Sequence, residues 1–287
     1  MKFQVFTDGS ANLPKQLLES ITILPCNYYV GEQQYTYLGD VDSFDAHTYY
    51  EELRNGKEVK TTLLNSQLFI SHFTPLLEQG MDVLYVAMAS GISGTYQAAR
   101  IAAEELMEEF PGRTVRIIDS RGCGFGSGLL AVHGAEMARS GMSVTEAGDI
   151  LDEEVPHMCQ YFTVDDLNFL KRSGRVSGAT AMIANVLNIK PILYGTADGH
   201  IVSCAKCRGR KKAIEYLAEE YAKKAVAPQN QIVAISHGDC LEDAQALAEK
   251  VNAIAKPKQL IICPHEPFSG AHVGPGMLAL FFHGTER

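Results

Sequence analysis

The run Asp82-Val83-Leu84-Tyr85-Val86-Ala87-Met88-Ala89-Ser90-Gly91-Ile92-Ser93-Gly94-Thr95-Tyr96 decides how this chain folds. Its opening residues are almost all apolar, as in a buried strand of an α/β sheet. They empty into a small hydroxylic loop, Ser90 to Tyr96, and an amphipathic stretch from Gln97 to Phe110 follows. After the Pro111-Gly112 turn comes another apolar run, Thr114 to Ile118. Strand, helix and strand in that order form a βαβ unit, which implies a parallel sheet and a right-handed crossover. The loop opens a helix, so backbone N–H groups and hydroxyls converge on it and make an anion pocket. Ser93 has Gly91 and Gly94 close by, which let the backbone approach a ligand, and its hydroxyl can donate to a carboxylate oxygen.

The same pattern recurs outward from this unit. Lys2 to Phe6 alternates and ends at Thr7-Asp8-Gly9-Ser10-Ala11-Asn12-Leu13-Pro14, where Asn12 is expected to cap a short helix. Ile21 to Val30 reads as one strand, and Ser43 as the N-cap of a helix reaching Asn55. Leu68, Phe69, Phe73, Leu76 and Leu77 place a helix from about Ser66 to Gln79. Asp119-Ser120 ends the second strand of the βαβ unit, and a helix runs on to about Arg139. Three strand ends thus carry small polar loops, the position where open α/β sheets hold ligands.

After the helix from Val144 to about Glu154 and Pro156 the pattern changes, which places a domain boundary between residues 155 and 156. Residues 1–155 form a parallel-sheet α/β domain, and residues 156–287 a mixed α+β domain. In the second domain a helix is expected over about 179–187, then a hairpin with arms Ile189 to Tyr194 and His200 to Cys207, turned at Asp198-Gly199. Helices over 209–225 and 240–254 and strands over 231–236, 259–263 and 278–283 complete it.

Of 287 residues 46% are hydrophobic, enough for a sizeable core, and the net charge of -9 disfavours nucleic acid as a partner. No apolar run reaches the roughly 20 residues of a membrane helix, and Met1-Lys2-Phe3-Gln4-Val5 lacks a secretory pattern, so a cytoplasmic location is expected. The seven cysteines are scattered, which suits a reducing compartment. Cys204-Ala205-Lys206-Cys207 has metal-like spacing but no second pair to complete a site, so no metal is expected.

Several motifs invite chemistry. Thr61-Thr62 precedes a helix and reads first as a helix entry and second as a ligand contact. Gly270-Ala271-His272-Val273-Gly274-Pro275-Gly276 sets a histidine among glycines, which points to hydrogen bonding with an anion. Asp165-Asp166 sits at a strand-to-helix boundary and reads as a cap. Ser236-His237-Gly238-Asp239 is too contiguous for a catalytic triad, and no Gly-x-Ser-x-Gly elbow occurs. Neither a phosphate loop nor a dinucleotide fingerprint is present, and the Gly122-x-Gly124-x-Gly126-x-Gly128 run lacks the required spacing. Lys206, Arg208, Arg210, Lys211 and Lys212 gather positive charge near a helix start, as either a solvated face or a docking patch for an acidic or phosphorylated partner.

Taken together these loops resemble the DegV family of bacterial fatty-acid-binding proteins, lipid-carrying subunits of fatty acid kinase systems. The resemblance is carried in order by Thr7-Asp8-Gly9, Thr61-Thr62, Ser90 to Tyr96, Asp166 to Arg175, Asn188 to Ile192, Arg208 to Lys212 and Gly270 to Gly276. It implies a two-domain DegV-like α/β fold with one long-chain fatty acid buried between the domains, and no further cofactor. The carboxylate would be held by Thr61, Ser93 and His272, with Thr62, Gly94 and Gly274 beside them. It also implies a cytoplasmic ATP-dependent fatty acid kinase as partner, docking near Arg208 and Arg210 and phosphorylating the carboxylate for phospholipid synthesis. Membrane contact would be at most transient, and the chain itself would not be an enzyme. The competing reading is a stand-alone acyl hydrolase or transferase using Ser93 and His272. Gly9, Leu63-Leu64 and Arg121-Gly122-Cys123-Gly124 depart from the family pattern.

Overall fold

A computed structural model describes residues 2–176 and 188–287. The first strand, β1 (Phe3–Asp8), pairs in parallel with β2 (Ile21–Leu24). Pro25 then interrupts what reads in the sequence as one strand. It supplies no N–H, and the chain leaves for a second sheet made of β3 (Cys26–Val30), β4 (Gln33–Tyr37) and, beyond α1 (Ala46–Arg54), β5 (Val59–Thr61). The short helix expected after Asn12 is reduced to 3-10 turns at Gly9–Ala11 and Lys15–Leu17. Asn12 sits at φ 57 and sends its amide to Cys263 Sγ and Pro264 O instead. The cap of α1 is Asp45, which accepts from Thr48 N, and not Ser43.

The βαβ unit has the expected form. After α2 (Ser66–Glu78) come β6 (Asp82–Ala87), α3 (Thr95–Glu109) and β7 (Val115–Asp119). The first sheet has the order β2-β1-β6-β7 and is parallel throughout. Next come α4 (Phe125–Arg139) and α5 (Val144–Glu154), the latter closed by a Ser143–Glu146 capping box.

The remaining strands build one six-stranded mixed sheet. They are β8 (Met158–Thr163), then, past α6 (Asn168–Ser173), β9 (Ile189–Gly195) and β10 (Ile201–Arg208). The expected helix over 179–187 lies outside the described residues. Then follow α7 (Arg210–Lys224), β11 (Ile232–His237), α8 (Leu241–Ile254), β12 (Gln259–Pro264), α9 (Pro267–Val273) and β13 (Leu278–His283). The order is β10-β9-β8-β13-β11-β12, parallel only between β11 and β12.

Helix α4 is buried along most of its length because it is packed against both large sheets. One apolar cluster therefore runs from Phe3, Val5, Leu84 and Val86 through Phe125 and Leu130 to Ala279 and Phe281. That shared layer fixes the carboxyl ends of β1, β6 and β7 relative to the face of the mixed sheet. Among the described residues no helix is long and apolar enough to cross a membrane.

Candidate functional site: a cavity with a polar mouth

The loop after β6 is held from below. Asp119, at the end of β7, accepts from Ser90 N at 3.1 Å and Ser90 Oγ at 2.6 Å. Gly91 has no alternative there, because a Cβ would lie 2.8 Å from the Asp198 and Gly199 carbonyl oxygens of the β9–β10 turn. Ser93 donates to Thr95 Oγ1 at 3.1 Å and accepts from Thr95 N at 3.2 Å, one residue before Gly94, the N-cap of α3.

Between this loop, α6, α9 and the face of the mixed sheet lies a cavity of about 530 Å³. Its apolar wall includes Met88, Phe162, Leu170, Phe268, Met277 and Phe281. Thr61, Ser93, Gly94, Arg175 and His272 line it as well. Thr61 ends β5, and its Oγ1 lies 2.9 Å from His272 Nε2. Burial, and then the Arg175 charge, push the His272 pKa down to about 4, so the ring is a neutral hydrogen-bonding group at physiological pH. A second groove, carrying Lys60, Arg172 and Arg175, shares Thr61 and His272 with the cavity. The Thr61–His272 pair is therefore reached from two sides.

The structure brings together Thr61, Ser93, Gly94 and His272 across more than 200 residues of sequence. Thr62 and Gly274 do not line the cavity. Thr62 follows Thr61 at the end of a strand, where successive side chains point to opposite faces, and its hydroxyl donates to Asn27 O at 3.4 Å. Gly274 ends α9 at φ 76, where a Cβ would stand 2.5 Å from the Phe169 ring. Arg210 has partners of its own. It is committed to Asp243 at 2.8 Å, to Cys240 Sγ at 3.3 Å and to Asp165 at 3.7 Å, whereas Arg208 is exposed.

Arg175 was missed as a site residue. Its signal was the Gly174-Arg175 stop after a short helix: Gly174 takes φ 71, and Arg175 lines the cavity and donates to Ser173 O. Also missed was that His272 stands on a short helix, α9, and not in a glycine-rich loop. The hydrolase geometry is not assembled, since Ser93 binds Thr95 and His272 binds Thr61.

A second polar cluster touches the cavity deeper in. His265 Nδ1 lies 3.0 Å from Ser236 Oγ, and its Nε2 lies 2.7 Å from Ser269 Oγ. Ser269 also contacts Glu266, which accepts from Phe268 N at 2.6 Å and Ser269 N at 2.9 Å and so caps α9. Burial pushes Glu266 up to about 7 and His265 down to about 3. Among the described residues one His/Asp/Glu group has metal-like spacing, His47, Glu51 and Asp239, but Arg54 already ion-pairs with both carboxylates.

Comparisons place this architecture. The family model described as an uncharacterised protein, DegV family, matches residues 2–284. A DegV domain-containing protein of Clostridium perfringens is 38% identical over 287 residues, covering 100% of this chain and 99% of its own. Two solved structures are similar over 98% of both chains. One is a fatty acid binding DegV family protein from Streptococcus agalactiae, with 26% identity and TM-score 0.83. The other is a DegV protein from Bacillus subtilis, described as fatty acid binding, with 28% identity and TM-score 0.81. With its parallel sheet, mixed sheet and intervening cavity, the chain belongs to the DegV family.

Proposed function

We propose that this chain binds one long-chain fatty acid, with the carboxylate at Thr61, Ser93, Arg175 and His272 and the tail in the cavity. The observation that carries the reading is the Thr61–His272 pair at 2.9 Å beside Arg175, at the polar mouth of an apolar space. A carboxylate leaving water must be hydrogen-bonded or paired, and this mouth offers two hydroxyls, a neutral imidazole and a guanidinium. Each buried methylene adds about 0.8 kcal/mol, so the tail supplies most of the affinity. Fatty acid binding by the similar Streptococcus agalactiae and Bacillus subtilis proteins supports the same reading.

The chain acts as a carrier that presents its ligand. Access from the Lys60–Arg172–Arg175 groove leaves the carboxylate open to a second protein, which suits phosphorylation by a cytoplasmic ATP-dependent fatty acid kinase giving an acyl phosphate. In this reading the units 1–155 and 156–287 close on the ligand, exposed Arg208 belongs to the docking face, and membrane contact is transient.

Titration with oleate and with its methyl ester tests the head-group assignment. Oleate is expected to bind and the ester to bind at least about tenfold more weakly. Equal affinities would remove the carboxylate from the polar mouth. With the kinase and ATP supplied, Arg208→Glu should keep oleate binding and lose phosphorylation, whereas loss of both would make Arg208 structural.

A further inference from the structure

The glycine run 122–128, whose spacing is not that of a dinucleotide fingerprint, seats a glutamine. Gln160 is on β8 and lines the cavity, and its carboxamide lies flat against the backbone of the chain entering α4. A Cβ at Gly122 would stand 2.2 Å from Gln160 Nε2, and one at Gly126 would stand 2.3 Å from its Oε1. Both positions must be glycine for this side chain to fit. Gln160 Oε1 accepts from Cys123 N at 3.0 Å, which fixes which way the amide points. Its Nε2, with two donor hydrogens, is buried and has no acceptor among the described residues.

Buried amide donors in folded proteins nearly always find an acceptor, from the protein, from water or from a ligand. The neighbouring polar groups do not offer one, because His265 and Ser269 are bonded to Ser236, Glu266 and each other. Its place on the mixed sheet follows from strand register. Gln160 pairs with Phe281 on β13, while Met277, just before that strand, lies on the cavity wall five residues beyond His272. At about 3.3 Å per residue, Gln160 and Phe281 stand about 13 Å along β13 from Met277.

We propose that the cavity selects acyl chains bearing a hydrogen-bond-accepting oxygen along the tail, such as a hydroxy or oxo group, and that Gln160 Nε2 is its donor. The proposal rests on the fatty-acid reading above and adds a second polar contact besides those to the carboxylate. A plain chain leaves the amide unpaired, so its binding is the poorer by that contact. A water molecule could take the same place, and the experiment separates the two.

The test is competition binding of octadecanoate and of 9-, 10- and 12-hydroxyoctadecanoate to wild type, Gln160→Leu and Gln160→Met, with each variant's melting temperature recorded to establish folding. For at least one hydroxyl position, the ratio of hydroxy-acid to plain-acid affinity should fall about tenfold in both variants relative to wild type. A ratio unchanged in both folded variants at every position means that water alone serves Gln160, and overturns the proposal. Should only Leu fail to fold, the Met variant decides. Failure of all the acids, octadecanoate included, to bind wild type would overturn the fatty-acid reading and this one with it. Normal octadecanoate binding with an unchanged ratio overturns only this one.

Discussion

Two polar clusters share one cavity, and they spend their hydrogen bonds differently. The inner one, Ser236–His265–Ser269–Glu266, is closed on itself: both ring nitrogens of His265 are engaged and Glu266 is committed to the first turn of α9. The outer one, Thr61, Ser93, Arg175 and His272, has a single cross-chain hydrogen bond, Thr61 to His272, and keeps an arginine without an ion pair among the described residues. Burial alone therefore does not mark a binding group. What marks it is a donor whose capacity remains after the fold has been built.

The comparison breaks most plainly at Glu266. Glu266→Ala leaves the buried N–H groups of Phe268 and Ser269 without acceptors, and a loss of about 3 kcal/mol or more in urea unfolding is expected. A loss below about 1 kcal/mol would mean that the inner cluster does not hold α9.

The pH dependence separates the clusters next. Glu266 is raised in the fold from 4.5 to about 7, so the stability it contributes is present below about pH 4.5 and is lost as pH rises through about 7. The difference amounts to about 3 kcal/mol. Folded Glu266→Gln should therefore gain on wild type between pH 5 and pH 8, and parallel stability curves would contradict the buried-acid assignment. The histidines act in the other direction. His265 and His272 are held neutral with values of about 3 and about 4, against about 6.5 when unfolded. The unfolded chain takes up protons first, and stability falls from about pH 6.5 towards pH 4. His272→Gln should flatten part of that slope in thermal scans.

In the outer cluster the effect moves from stability to binding. His272→Ala is expected to weaken oleate by about tenfold to a hundredfold in titration calorimetry, with unfolding free energy changed by less than about 1 kcal/mol. The reverse pattern would move His272 into the structural cluster. The smallest contrast is on the surface. Arg210→Gln should cost about 1 kcal/mol because it opens the contacts to Asp243 and Asp165, while Arg208→Gln stays within about 0.5 kcal/mol.

The sequence made the parallel sheet legible because β6 and β7 are continuous apolar runs bounded by turns, and the hairpin legible through Asp198-Gly199. The small sheet was not legible. Most of β4 is exposed and polar, and β5 is three residues long, so neither has an apolar period to read. Ser93 and His272 could be found because small or glycine-rich segments surround them. Arg175 could not be told from other surface cations without the turn at Gly174. Thr62 and Gly274 adjoin the wall residues Thr61 and Val273 in sequence, and strand alternation and a helix end set them off the wall. Arg210 read as part of a charge patch because its acidic partners, Asp165 and Asp243, lie 45 and 33 residues away.

Native mass spectrometry of the freshly purified protein tests the account most directly, with organic extraction of the same sample to identify any adduct. The expected spectrum has one long-chain fatty acid per chain, and His272→Ala should hold a smaller bound fraction at equal protein concentration. A bare chain mass that stays bare after incubation with oleate or palmitate would contradict the account.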